Sequence, residues 1–152
     1  MNVERLFISR EPKGALQERD TIRLERGLGI VGDRHFGRSD WAGQNLTLVE
    51  AEEIELFCAE TGRPTDLSIT RRNLVTRGIR LNDLVGKTFT IGSARLHGVE
   101  TCEPCGDLGR ALATEALPAA AVVKRWVGRG GLRATVIDSG EIAVGDGMAI
   151  EN

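Results

Sequence analysis

Glycine interrupts this sequence at 19 of its 152 positions, and the apolar segments between the glycines are short. Short apolar segments separated by turn residues are typical of strands joined by tight connections. Residues 21–25, TIRLE, show the expected alternation, because Ile22 and Leu24 are separated by the charged Arg23. A strand with one buried face has this period of two. The glycine pattern therefore predicts a chain that is mainly β.

Further segments fit the same interpretation. Predicted strands cover residues 44–49, 68–76, 87–92, 94–99, 132–137 and 141–150. Apolar spacing of three and four predicts helices over 50–62 and 118–131, with a short third near 107–113. About seven or eight strands with two or three short flanking helices predict a compact β-barrel. The strands lie too close together in sequence for mostly parallel crossovers, and the length suits a single domain over residues 1–152.

Charge and composition exclude several classes of function. The net charge of −2 argues against general affinity for nucleic acid. No apolar run reaches the roughly 20 residues that span a bilayer, and the first residues lack a signal-peptide core. Three cysteines, an odd number, do not form a disulfide framework. We therefore expect a cytoplasmic protein that contacts neither a membrane nor nucleic acid.

The sequence ETCEPCGDLGR places Cys102 and Cys105 in a Cys-x-x-Cys motif. Four readings are open: half of a zinc site, a redox pair, two buried structural thiols, or one reactive thiolate with a neighbour. No second ligand pair with zinc spacing exists, so no zinc is expected. A thioredoxin-like pair would open a helix in an α/β fold, whereas this chain is predicted to be β-rich.

We favour a reactive thiolate at Cys105, because Gly106 leaves space beside it for a ligand. Arg71, Arg72 or Arg110 would favour the thiolate if the fold brought one of them close, and the carboxylate of Glu103 would oppose it. Such a thiolate can carry a persulfide sulfur or bind a soft metal. Cys102 would then shield or resolve the reactive sulfur.

Three further motifs carry candidate site residues. In TRRNLVT, strand alternation would point Arg71 and Asn73 the same way, beside Arg72, as a grip for a small anionic ligand; a solvated strand face is the alternative. In GDRHFG, His35 is a candidate general acid or base, or a loop residue that only forms hydrogen bonds. GRGG (128–131) lacks the Lys-Ser/Thr of a phosphate-binding loop and is interpreted as a helix stop followed by a flexible turn.

These stretches, in this order, resemble the MOSC domain, named for the C-terminal part of molybdenum-cofactor sulfurases. The segments that match are GDRHFG, QNLTLVEAEEIE, RRNLVTRGIRLNDLVGKTFTIG, CEPC and GRGGLRATVIDSGEIAVGDGMAI, which together span roughly residues 25–150. The resemblance implies a compact β-barrel with a cysteine used in sulfur or molybdenum chemistry. It implies that Cys105 is the thiolate that ligates molybdenum where the cofactor is bound, and that Arg71 and Asn73 hold the cofactor's pterin and phosphate.

The resemblance leaves more than one function open. The chain would be a persulfide carrier that receives sulfur from a cysteine desulfurase and passes it to a sulfur or molybdenum acceptor protein, or it would bind molybdenum cofactor. It has no PLP-binding domain and so would not extract sulfur from cysteine itself. The alternatives are a molybdenum-dependent reductase of N-hydroxylated compounds and a non-catalytic β-barrel that binds a partner.

Overall fold

The computed structural model describes all residues, 1–152, and contains eleven strands, three α-helices and one 3₁₀ turn. The strands are β1 (Asn2–Ile8), β2 (Gln17–Arg19), β3 (Thr21–Glu25), β4 (Gly29–Ile30), β5 (Leu46–Glu50), β6 (Leu74–Arg77), β7 (Thr88–Ile91), β8 (Ala94–Thr101), β9 (Leu132–Asp138), β10 (Gly140–Ala143) and β11 (Met148–Ile150). The helices are α1 (Ala51–Glu60), α2 (Gly106–Leu112) and α3 (Ala119–Trp126), and the 3₁₀ turn covers Leu81–Leu84.

The strands form two sheets. Eight of them follow the order β11-β7-β8-β9-β5-β6-β1-β2, and three follow the order β10-β3-β4. A single bridge between Asn2 and Gly147 joins β1 to the residue before β11, without a continuous ladder. The prediction of a mainly β chain with three helices is confirmed, but the predicted barrel is not, because the sheets do not close on themselves.

Two apolar cores lie on opposite faces of the larger sheet, and consecutive residues of three strands alternate between them. Leu6, Leu48 and Leu74 belong to a core of 20 buried residues enclosed by the strands. Their neighbours Phe7, Val49 and Val75 belong to a core of 11 residues under the helices. This alternation is the period of two that a strand imposes, and here both faces are apolar because helices cover the outer one.

The central parallel pair of strands fixes the position of residues 63–73. Strands β5 and β6 are parallel, and α1 forms the crossover between them, burying Ala51, Ile54, Phe57 and Cys58 as the sequence predicts. The chain must therefore return to the start of β5 before it enters β6. Residues 63–73 make this return, and they deliver two arginines to the edge of the sheet.

Two sequence predictions about strands need correction. Residues 68–76 were predicted as one strand, but only Leu74–Arg77 is extended, and the chain turns over 67–70. Strand β1 was not predicted, because its register shifts between Val3 and Arg5 and this bulge breaks the apolar alternation. None of the helices is long and apolar enough to cross a membrane.

Candidate functional site

A cavity of about 460 Å³ opens between the loop after β1, the loop after β4, the turn before β6 and the first turn of α2. Cys105 lines this cavity and lies immediately before α2. The lining side chains are Lys13, Arg34, Ile69, Thr70, Arg71, Arg72, Cys105, Asp107, Leu108 and Ala111. The volume falls within the range of about 300–1,000 Å³ that is usual for small-molecule sites.

Arg71 and Asn73 do not point the same way, contrary to the prediction from strand alternation. Arg71 has a left-handed backbone conformation with φ of 60°, so the chain is not extended there and alternation does not apply. The side chain of Asn73 is buried, where its Nδ2 donates to the Phe7 carbonyl at 3.1 Å and its Oδ1 accepts from the Thr47 N–H at 3.1 Å. Asn73, directly before β6, therefore connects β1 and β5 through its side-chain hydrogen bonds, whereas Arg71 lines the cavity.

Backbone carbonyl groups hold the guanidinium groups in place. Arg71 Nη2 donates to the Gly14 carbonyl at 2.7 Å, and Arg72 Nε donates to the Gly130 carbonyl at 3.1 Å. Arg34 Nη2 donates to the Arg71 carbonyl at 3.1 Å. Neither Arg71 nor Arg72 forms an ion pair with a carboxylate within 4 Å. Both positive charges remain available to a ligand.

The cavity wall is strongly cationic as a result. Lys13, Arg34, Arg71 and Arg72 contribute four positive charges, and Asp107 contributes the one negative charge. Burial lowers the pKa of Arg34, and the positive charges of Arg71 and Arg72 add to this effect against the opposing charge of Asp33. An arginine remains charged at neutral pH, so Arg34 keeps its positive charge despite this burial.

The three thiols differ sharply in environment. Cys105 is exposed and lines the cavity, whereas Cys58 and Cys102 are buried. Burial raises the pKa of the Cys102 thiol, and the nearby positive charges of Arg72 and Arg133 only partly offset it. Cys102 directly follows β8, and its backbone N–H donates to the Gly131 carbonyl at 2.8 Å. Of the two cysteines in the motif, only Cys105 is accessible to a ligand in the cavity.

A helix does begin directly after Cys105, at Gly106, so a β-rich surrounding does not by itself argue against a redox pair. What separates the two thiols is their burial, since Cys102 is 1% exposed. Glu103, which lies between them in the sequence, is not among the residues that line the cavity, and it accepts a hydrogen bond from Thr101 Oγ1 at 3.2 Å.

His35 lies beside the cavity but does not line it. Its Nδ1 is 3.4 Å from Asp33 Oδ2. Burial opposes ionisation of Asp33, but hydrogen bonds from His35 and from the Ser9 N–H, together with the charge of Arg34, lower its pKa overall. His35 thus helps to hold the carboxylate that orients Arg34. Arg110 also lies outside the lining and forms an ion pair with Asp107.

GRGG (128–131) forms the helix stop and turn that the sequence predicts, but its last two glycines are packed against neighbouring backbone. A Cβ atom at Gly130 would lie 2.4 Å from the Cys102 carbonyl oxygen, and one at Gly131 would lie 1.9 Å from that of Leu48. The backbone at these two glycines is packed directly against the neighbouring strands. Gly128, with φ of 74° and open space around it, is the helix stop that the sequence predicts.

Sequence reasoning missed Lys13 and Arg34 as cavity residues. Arg34 belongs to GDRHFG, a motif in which the histidine drew attention, and Pro12-Lys13-Gly14 carries only a general turn signal. Three residues singled out from the sequence, Arg71, Arg72 and Cys105, do line one cavity. No group of three or more His, Cys, Asp or Glu side chains converges as a metal site.

Comparison with protein families matches residues 31–149 to the MOSC domain. The chain belongs to the MOSC domain family. The match covers most of the chain, including Arg34, the turn before β6 and the Cys-x-x-Cys motif. No functionally curated protein matches the sequence.

Three solved structures share the fold of this chain. The YuaD protein from Bacillus subtilis superposes with a TM-score of 0.83 at 23% identity, covering 98% of this chain and 94% of that one. YiiM from Geobacillus stearothermophilus gives a TM-score of 0.72 at 16% identity, covering 99% of this chain and 75% of its own. YiiM from Escherichia coli gives 0.71 at 18% identity, covering 100% and 70%. At these identities the likeness establishes the fold.

Proposed function

We propose that this MOSC protein binds molybdenum cofactor in the cationic cavity, with Cys105 as the protein's thiolate ligand. The observation that carries the proposal is that Arg71 and Arg72, which lack carboxylate partners, line the same cavity as the one exposed cysteine. Unpaired guanidinium groups suit an oxyanion such as a phosphate group, and a thiolate suits a soft metal.

The residues present fit this cofactor in charge, in size and in donor type. A pterin with a phosphate group is anionic, and the wall carries four cations against one carboxylate. Ile69, Leu108 and Ala111 provide an apolar wall for the flat part of a ligand. The Thr70 hydroxyl also lines this cavity and is buried without a hydrogen-bond partner, which is costly in a protein interior.

When bound, the cofactor supplies two-electron oxygen-atom transfer, the chemistry needed to reduce N-hydroxylated compounds. The contribution of the chain is binding and orientation. Arg71 and Arg72 balance the anionic charge, Arg34 is held against them by Asp33, and Cys105 supplies the soft donor at the mouth of the site. Asp107 is the one carboxylate that lines the cavity, and it lies two positions after Cys105 in the sequence. It is therefore the acid–base group of the chain at this site.

A second candidate is the persulfide carrier, which is favoured by the exposure of Cys105. In that function Cys105 accepts sulfur from a desulfurase and passes it to a sulfur or molybdenum acceptor protein. A persulfide adds only one sulfur atom, however, and needs neither a cavity of about 460 Å³ nor four cations. The size and charge of the cavity therefore favour the larger anionic cofactor.

The test is the molybdenum and pterin content of protein purified from a host that makes the cofactor. We expect near-stoichiometric molybdenum in the wild type. Replacing Arg71 and Arg72 by Ala should weaken binding of the cofactor more than about tenfold, since hydrogen bonds to charged groups contribute about 1.5–3 kcal/mol each. Arg23→Ala is the matched control, because Arg23 is exposed, pairs with Glu25 and does not line the cavity.

Molybdenum at background level, in a host whose other molybdoenzymes are loaded, would contradict the proposal. Mass spectrometry of the same samples measures persulfide on Cys105. Persulfide without molybdenum or pterin would favour the carrier function instead.

A further inference from the structure

The chain contains six aromatic residues, four Phe and two Trp. Phe7, Phe57, Phe89 and Trp126 are buried in the two cores. Phe36 and Trp41 are the exposed pair, at 37% and 53% of their surface. Both lie in the loop 31–45 that joins β4 to β5, which is the loop that also delivers Arg34 to the cavity.

Two further exposed apolar residues belong to the same region. Val31 lies at the start of the loop, and Leu28 lies in the preceding turn. The carbonyl of Leu28 accepts a hydrogen bond from the Gly37 N–H at 2.9 Å. We call these four residues the apolar patch: Leu28, Val31, Phe36 and Trp41. They make up four of the ten exposed large apolar residues of the chain, within a segment of 14 positions. The Gly37–Leu28 hydrogen bond brings the chain beside Phe36 back to Leu28. Exposed apolar residues that gather in one region mark interaction surfaces, whereas single exposed ones do not.

The loop 31–45 is anchored rather than loose. The buried Asp33 accepts a hydrogen bond from the Ser9 N–H at 3.0 Å, and Asn45 Nδ2 donates to the Gly27 carbonyl at 3.3 Å. Further along, the Gly43 N–H donates to Thr135 Oγ1 at 3.2 Å. The fold therefore fixes the backbone of the loop that carries Phe36 and Trp41, which lowers the entropic cost of ordering this loop on binding.

The charges around the patch are mainly positive. Arg26 and Arg38 are exposed, and neither forms an ion pair. Asp40 is the exposed carboxylate of the loop, since Asp33 is buried. The cationic cavity adjoins them through Arg34. The cavity residues Lys13, Arg71 and Arg72 form no ion pairs, so together with Arg26 and Arg38 this part of the surface carries more positive than negative charge.

We propose that the apolar patch is the docking surface for an acidic protein, one that presents carboxylates around an apolar centre and so approaches the mouth of the Cys105 cavity. Exposed Trp, Phe and Arg side chains are the types that dominate binding energy at interfaces, and positive rims steer acidic partners. Four apolar residues make a small surface, which fits a transient encounter.

Two other occupants fit less well. A second copy of the chain would set two surfaces with the same unpaired arginines, Arg26 and Arg38, against each other in a symmetric pair, which like charges disfavour. RNA binding depends on many phosphate contacts, and the patch offers only these two unpaired arginines outside the cavity.

The experiment places a photo-crosslinking residue, benzoylphenylalanine, at position 41 or position 36 in cells, with position 127 as the control. Val127 is 59% exposed and lies after α3, outside the patch. The proposal expects the same acidic protein, identified by mass spectrometry, from positions 41 and 36 and not from 127. That protein is then purified and titrated against wild type, Trp41→Ala and Val127→Ala.

Trp41→Ala should weaken binding more than about tenfold, and Val127→Ala should leave it unchanged. Raising the salt from about 0.01 M to about 0.15 M, which shortens the screening length from about 30 Å to about 8 Å, should weaken binding further. The proposal is overturned by crosslinks common to all three positions, by crosslinks to RNA or to a second copy, or by a partner whose affinity ignores Trp41 and salt. None of these readouts depends on molybdenum, so failure here is distinct from failure of the cofactor proposal.

Discussion

Lys13 and Arg71 are the only two non-glycine residues with a positive φ, at 59° and 60°, and both line the cavity that contains Cys105. The two are tied together, since Arg71 Nη2 donates to the carbonyl of Gly14, the neighbour of Lys13, at 2.7 Å. A left-handed conformation costs a residue with a Cβ atom about 1–2 kcal/mol. The chain therefore holds two cations in strained conformations at one site, which is where functional strain concentrates.

Relief of this strain gives the first prediction. Lys13→Gly and Lys13→Ala both remove the charge, but only glycine adopts the left-handed conformation without strain. We expect the Gly variant to have a free energy of unfolding about 1 kcal/mol higher than the Ala variant, with ligand binding equally weakened in both. Denaturant unfolding measures the difference. Equal stability of the two variants would show that Lys13 is not held in this conformation in solution.

The second prediction concerns the accessibility of the thiols. Alkylation needs an accessible thiolate, so native protein at neutral pH should be modified at Cys105 alone. Cys102 should react slowly and faster as the pH rises, because burial raises its pKa. Cys58, which is fully buried under the helices, should react only after unfolding. Peptide mapping by mass spectrometry gives each rate, and a Cys102 rate equal to that of Cys105 would refute the assignment.

The third prediction follows from the lowered pKa of Asp33. Its folded pKa lies below the unfolded value of about 3.9, so its stabilising contribution is complete above pH 4 and is lost as the pH falls through the folded value. Asp33→Asn should lower the free energy of unfolding by about 1.5–3 kcal/mol at pH 7, and the difference from wild type should shrink below about pH 4.

Unfolding in denaturant across this pH range measures the effect. Asp40→Asn is the control, because Asp40 lies in the same loop but is exposed; it should change stability by less than about 0.5 kcal/mol. A constant difference between wild type and Asp33→Asn down to low pH would contradict the ionised, hydrogen-bonded carboxylate.

The fourth prediction compares two glycines of the same motif. Gly130→Ala would place a Cβ atom 2.4 Å from the Cys102 carbonyl oxygen and would move the carbonyl that holds Arg72. We expect a loss of more than about 2 kcal/mol in unfolding free energy. Gly128→Ala meets nothing within 4 Å and should cost about 1–2 kcal/mol, from its left-handed φ alone. A Gly130 variant more stable than the Gly128 variant would show that the strand end can shift freely.

Local patterns predicted the parts of the fold that local interactions determine. Ile22 and Leu24 are buried and Arg23 is exposed, as the alternation in 21–25 predicts, because water on one face imposes a period of two. Helix α1 likewise buries Ile54 and Phe57. Strand β1 escaped prediction, since its bulge between Val3 and Arg5 is fixed by its pairing with β6, which is remote in sequence.

The candidate site shows the same division. The sequence singled out Cys105, Arg71 and Arg72, and the structure places them in one cavity. The sequence did not predict the left-handed φ of Arg71, because this conformation is accompanied by a hydrogen bond to Gly14, which lies 57 positions away. For the same reason Asn73 was assigned to the ligand, although its amide joins neighbouring strands.

If Cys105 binds the metal of an anionic cofactor in this cavity, the molybdenum content of Cys105→Ser should reveal it. The control is Cys58→Ser, which removes a buried thiol under the helices. Both proteins are purified from a cofactor-competent host, and the ratio of molybdenum to chain is measured by mass spectrometry. We expect Cys58→Ser to retain the wild-type ratio and Cys105→Ser to lose most of its molybdenum. Retention of the wild-type ratio by Cys105→Ser would contradict this role of Cys105.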